Sequence, residues 1–164
     1  MQSAADFGLM VATDQKRATD ARHDGLETYV AAAGAKSAGT VETLVQDEKV
    51  DTDLRAIAAE QLLTANPQTT LYTALLPRYD TLPAPVRGAL ARAAGQAKDV
   101  PGADAFVIRY LNDKSAKMNR FHVMMGLSLP PTPALIAALK ELEKDPELGV
   151  HVKNVIQQLE RDKK

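Results

Sequence analysis

The side chains able to do chemistry are few and scattered. The histidines are His23, His122 and His151. No two lie three or four residues apart, so no helical turn offers a pair of imidazoles to a metal. His122 sits between Phe121 and Val123, the setting of a partly buried structural imidazole, and His23-Asp24 fits an exposed face. The chain has no cysteine, which removes disulfides, cysteine zinc sites and thiol nucleophiles. Neither a glycine-rich phosphate loop nor a Gly-x-Ser-x-Gly nucleophile turn is present. Glu141 and Glu143 lie two apart and point to different faces of a helix. Glu60 lies mid-helix, either on a ligand-facing surface or simply solvated. No catalytic, cofactor-binding or metal-ligating residue is expected.

A different spacing is strong. Arg22, Arg55, Arg87, Arg120 and Lys153 follow one another at 33, 32, 33 and 33 residues. Asp14, Asp47, Asp80, Asp113 and Asp145 do so at 33, 33, 33 and 32. Two ladders with one period mark a repeat architecture, with approximate units 1–34, 35–66, 67–99, 100–130 and 131–164 filling a single domain. An arginine fork can bond a carboxylate of its own unit and of the next, a structural use. The competing use, a basic row for phosphates, needs those side chains at the surface.

The elements that must position these residues read as helix pairs. The stretch Asp51 to Asn66 sets the pattern, with Leu54, Ile57, Ala58, Leu62 and Ala65 at helical spacing. Asp51 or Asp53 caps it and Asn66-Pro67 closes it. Ahead of it, Ala4–Thr13 and Ala18–Ala33 form two helices or one long one, with Gly25 weakening the second by about 1 kcal/mol relative to Ala. Gly34 to Gly39 reads as a loop and Thr40 as an N-cap. Further on, Asn66 also serves as the cap of the next helix, with Pro67 in its first turn. Leu71, Ala74, Leu75 and Tyr79 face inward there, and Pro77 must kink or end the helix. Pro83 and Pro85 open its partner. Pro101-Gly102 leads into Ala105–Leu111. Ser115 caps an apolar helix with Met118, Phe121, Val123, Met124 and Leu127 turned inside. Thr132-Pro133 and Asp145-Pro146 open the last two helices, and the charged end, Glu160 to Lys164, suits a capping helix.

Composition sets the limits. The chain has 164 residues, 45% hydrophobic and 25% charged, enough for one soluble core. Net charge is −1, so no global field steers it onto nucleic acid or an acidic membrane. The distribution is uneven. Residues 1–66 hold 6 basic and 11 acidic side chains, 67–120 hold 8 and 4, and 121–164 hold 6 of each. This is either chance on solvated faces or a basic strip for an acidic partner. No apolar run is long enough to span a membrane. No leader is visible, which favours the cytoplasm; a periplasmic or exported location stays open if a leader has been removed.

Leu54-Arg55-Ala56-Ile57-Ala58-Ala59, preceded by an acid, resembles the start of the second helix of a HEAT repeat. Val86-Arg87-Gly88-Ala89-Leu90-Ala91 is similar, and Asn119-Arg120 and Val152-Lys153 match less closely. Pro77 stands where the family's first helix kinks. The resemblance covers Thr40 to Arg161 well and the first 33 residues poorly. It implies an all-α fold, a right-handed α-solenoid of about five helix pairs with second helices on a concave face. Nine or ten helices and no sheet are expected.

The resemblance also bears on function. The iron-binding hydroxylases built on HEAT repeats need His followed by Glu, which no histidine here offers. DNA alkylation-repeat glycosylases present Trp, Tyr and acids in a basic groove; this chain has no Trp, and Tyr72, Tyr79 and Tyr110 suit a core. Bilin lyases use helical repeats too, without a feature that singles them out here. The leading expectation is a non-catalytic adaptor binding a protein or peptide through Glu60, Gln61, Arg92, Gln96, Lys117 and Arg120. The alternatives are an enzyme or enzyme accessory of the HEAT-like class whose groups converge only in space, and weak nucleic-acid binding through the basic middle.

Overall fold

A computed structural model describes residues 3–161, so the end of the charged tail, residues 162–164, lies outside the described residues. Among these residues the chain is helical and holds no strand. The α-helices are α1 (Ala4–Thr13), α2 (Thr19–Ala33), α3 (Ala38–Gln46), α4 (Thr52–Ala65), α5 (Leu71–Leu75), α6 (Ala84–Ala94), α7 (Ala103–Leu111), α8 (Met118–Met125), α9 (Pro133–Glu141) and α10 (Gly149–Arg161). Four 3₁₀ segments extend or precede them. The chain separates into two compact units, one ending at Thr69 and the other starting at Thr70.

In unit 1, residues 4–33 form a pair of helices and not one long helix. The break is local. The Asp14 side chain accepts the Lys16 N–H at 3.0 Å, and the Arg17 N–H donates to the Asp14 carbonyl at 3.1 Å. This Asx turn ends α1 without a proline. Arg22 Nε then donates to the Ala12 carbonyl at 2.9 Å. A Cβ at Gly8 would lie 2.6 Å from the Gly25 carbonyl oxygen, and one at Gly25 would lie 2.8 Å from the Ala12 nitrogen. Gly25 is therefore not a weak point in α2, because the two backbones approach where only glycine fits. Later residues of α1 meet earlier residues of α2, so the helices are antiparallel.

The same device recurs between α3 and α4. Arg55 Nε donates to the Val45 carbonyl at 3.0 Å, again ten residues back. Asp47 accepts the Lys49 N–H at 2.9 Å. Asp51, not Asp53, caps α4 by accepting the Leu54 N–H at 3.0 Å. Arg22 reaches that cap with both Nη atoms, at 3.0 and 2.7 Å. It thus ties the end of α1 to the start of α4. Thr40 is not an N-cap: a 3₁₀ turn from Gly34 to Ser37 carries the chain into α3 earlier, and the Thr40 hydroxyl accepts from Tyr29 at 2.9 Å.

In unit 2 the first helices α5, α7 and α9 pack in series, and α6 packs against α7 and α8. Asn66 ends α4 and caps no following helix; α5 starts only at Leu71. Pro77 acts as expected, turning α5 into a 3₁₀ segment over Leu76–Thr81. Tyr72, Tyr79 and Tyr110 are buried, as are Leu71 and Leu75, while Ala74 is exposed. Tyr72 and Tyr79 meet Phe106 edge-on at 5.6 and 5.5 Å. Thr132 caps α9 by accepting the Leu135 N–H at 3.1 Å. Asp145 heads a turn and α10 begins at Gly149.

Candidate functional site

The second helices of unit 2 place three of the expected contact residues at the surface. Arg92 is exposed in the last turn of α6, and Gln96 is exposed just after it. Lys117 is exposed immediately before α8. Its position is built locally. Asp113 accepts the Ser115 N–H at 3.0 Å and the Ser115 hydroxyl, forming a 3₁₀ turn. Lys117 then takes φ +46°, a left-handed conformation uncommon for a residue with a Cβ. Ser115 therefore sits in the preceding turn and is not the cap of α8.

Arg120 is corrected. It is 1% exposed, so it does not belong to a contact surface. Its guanidinium is bound by Asp145, with Glu147 at 3.8 Å. The helix turns it inward with Val123 and Met124. Met118, expected inside, is outside at 61% exposed, and His122, expected partly buried, is exposed too. One face of α8 is filled by the arginine and the stripe shifts around the helix. A stripe containing both Phe121 and Met124 had no unique phase, which is why the sequence did not separate the two faces.

The arginines of the basic ladder work as packing, while Lys153 is exposed. Arg87 Nη1 lies 3.4 Å from Asp113, which also accepts the Tyr79 hydroxyl at 2.8 Å. Arg109 stacks over the Tyr79 ring at 4.3 Å and Arg87 at 5.2 Å. Burial pushes the Asp113 carboxyl up, but Ser115, Tyr79 and Arg87 outweigh it and hold the group below its ordinary value. At Asp145 burial is likewise overcome, by Arg120 and the Glu147 and Leu148 N–H groups. At Asp51 the Arg22 hydrogen bonds dominate and lower the pKa against burial. The aspartate ladder splits its work. Asp14, Asp47, Asp113 and Asp145 each accept the N–H two residues on, whereas Asp80 pairs with Arg109.

In unit 1, Glu60 is exposed and Gln61 half-buried on α4. Glu60 lies 3.6 Å from His23 Nε2 on α2, and Asp24 lies 4.0 Å from Nδ1. The ligand atoms of His23, Asp24 and Glu27 fall within 4.8 Å of one another. The set contains no pair of histidines; its signal in the sequence is His23 and Glu27, spaced i, i+4 on one face. Both carboxylates are exposed. The group is the one set among the described residues that could hold a metal ion.

An open depression of about 380 Å³ in unit 2 is lined by Asp99, Pro101, Asp104, Leu129, Pro130 and Thr132, among others. Its titratable groups are Asp99 and Asp104, and Asp104 accepts the Thr132 hydroxyl at 3.0 Å. Among the described residues no helix is long and apolar enough to cross a membrane. No family model matches the chain, and neither a curated protein nor a solved structure does.

Proposed function

We propose that the chain is a non-catalytic adaptor of the HEAT-like kind, which holds an acidic segment of another protein against the second helices of unit 2. One observation carries this reading. At the surface, helices α6 and α10 bear Arg92, Lys153 and Arg161 against a single carboxylate, Glu160, while Arg87 and Arg120 are held by Asp113 and Asp145. Exposed Arg92 and Lys117 stand on that layer, with Gln96 beside them. A field of one sign speeds encounter with a partner of the other sign and fades as salt rises. The reading includes right-handed stacking of the five pairs as a solenoid, for which the 33-residue period is the support.

The test is a pull-down from native extract with three forms of the protein. The wild type should recover one stoichiometric protein. Arg92→Glu with Lys117→Glu should lose it. Lys140→Glu with Lys144→Glu, an equal charge change at exposed positions on and after α9, should retain it. Equal losses from both pairs, or from neither, would remove the reading. Recovery abolished by nuclease would favour nucleic acid instead.

A further inference from the structure

In unit 1 the His23 imidazole has a carboxylate at each of its nitrogens. Asp24 lies 4.0 Å from Nδ1, and Glu60 of α4 lies 3.6 Å from Nε2. Glu27 is four residues on from His23 and three on from Asp24, so one turn of α2 brings it back to both. The three donor atoms of α2 fall within 4.8 Å of one another. Their electrostatics set them apart. Asp51 is met by Arg22, and Asp145 and Glu147 are both met by Arg120. Among the described residues no lysine or arginine pairs with Asp24 or Glu27. Arg22, next to His23 in the chain, is buried and turned to the Ala12 carbonyl and Asp51. Two carboxylates thus converge beside an imidazole with no fixed cation to offset their repulsion.

We propose that His23, Asp24 and Glu27 bind a divalent cation of the zinc class, with Glu60 orienting the imidazole. The site belongs to unit 1 and does not rest on the basic layer of unit 2. The donor set selects the ion. One imidazole nitrogen with two carboxylate oxygens suits Zn²⁺, whereas Mg²⁺ and Ca²⁺ take sets made of oxygen alone. Bonds of about 2.1 Å place the donors of a tetrahedral zinc about 3.4 Å apart. The 4.0 Å between Asp24 and Nδ1 must therefore close by about 0.6 Å, within reach of an exposed side chain. Glu60 favours the tautomer with its proton on Nε2, which leaves the Nδ1 lone pair for the ion. Three protein donors leave a fourth position open to water or to an atom of another molecule.

The experiment titrates the full chain with Zn²⁺ against a chromophoric chelator. One equivalent should bind. His23→Ala and Glu27→Gln should each weaken it at least about tenfold, and His122→Ala should leave it unchanged. Glu27 is exposed, so without zinc the Glu27→Gln variant should melt with the wild type. With zinc only the wild type should gain in Tm, because the ion binds the folded chain. Nitrogen-15 spectra of the imidazoles then locate the ion. Zinc should displace the Nδ1 resonance of His23 and leave His122 and His151 in place. Glu60→Ala should mix the two tautomers of His23 in the zinc-free protein. Absence of zinc binding, equal affinity for Mg²⁺, or full affinity in both His23→Ala and Glu27→Gln overturns the site. So does zinc found on His122 or His151. Zinc on Nε2 of His23, or an unchanged tautomer in Glu60→Ala, overturns the part given to Glu60.

Discussion

Helices α2 and α4 of unit 1 carry Asp20, Asp24, Glu27, Asp53 and Glu60 against two arginines, Arg22 and Arg55, both buried. Helices α6, α8 and α10 of unit 2 reverse the balance, with five basic side chains and one acid. Yet the ladder arginines are spent on packing in both, and only Lys153 of the ladder is exposed. Arg22 and Arg55 reach back ten residues to a carbonyl, and Arg22 also reaches the cap of α4. Arg87 and Arg120 reach a carboxylate in the turn that precedes the next second helix. What the period fixes is the fold. Charge that differs between the units lies off the ladder, at the surface, and that is where partner choice can be written.

The sharpest way to break this comparison is at the ladder itself. Arg120→Ala leaves the Asp145 carboxylate, 7% exposed, without its guanidinium. The expected cost is about 3–5 kcal/mol in urea melts. Arg55→Ala removes a donor from the Val45 carbonyl and should cost less, about 1–3 kcal/mol. Equal costs would mean that the two units use the ladder in one way.

A smaller effect separates unit 1 by its backbone contact. Gly25→Ala forces a Cβ against the Ala12 nitrogen and should cost about 1–3 kcal/mol as overpacking. Gly39, in α3, has nothing within 4 Å of the added Cβ. Gly39→Ala should therefore stabilise by about 0.5 kcal/mol. Thermal melts of the two variants should move in opposite directions; a shared direction would refute the close approach of α1 and α2.

The smallest effect is on pH. Asp51, Asp113 and Asp145 all sit below the ordinary value of 3.8 in the folded chain. A depressed carboxylate contributes stability that is fully present above the unfolded value and is lost as pH falls through the folded one. Stability should thus be flat in these groups above about pH 5 and fall progressively below about pH 4. Asp145→Asn should flatten part of that slope in unit 2, and Asp51→Asn part of it in unit 1. An unchanged slope in both variants would show that other groups govern acid unfolding.

Much of the fold was legible because its signals are local. The bounds of α1, the cap at Thr132 and the turn at Pro77 each follow from neighbours within a few residues. The misses have physical causes. Thr40 and Ser115 are good caps by type, but a 3₁₀ turn took the chain past the first and stopped short of helix at the second. Gly25 was read as helix weakness because its reason, the backbone of α1, lies across a turn. At the candidate site, Arg92, Gln96 and Lys117 came out at the surface as the pattern suggested. Arg120 did not, because its two roles, ladder and contact, compete for one side chain and burial with Asp145 prevails. The exposure of Met118 and Met125 was hidden, since an apolar residue on a short helix carries no mark of which side it takes.

The reach of the cross-links sets how this chain can fold. Arg22–Asp51 closes 29 residues, Arg120–Asp145 closes 25, and Tyr79–Asp113 closes 34. None of these needs the two ends of the molecule to find each other. Loop-closure entropy grows only with the logarithm of loop length, so each link forms at modest cost once its own pair of turns exists. The chain can therefore order one link at a time. It can also begin to order during synthesis, with Arg22 in place as soon as Asp51 has cleared the ribosome.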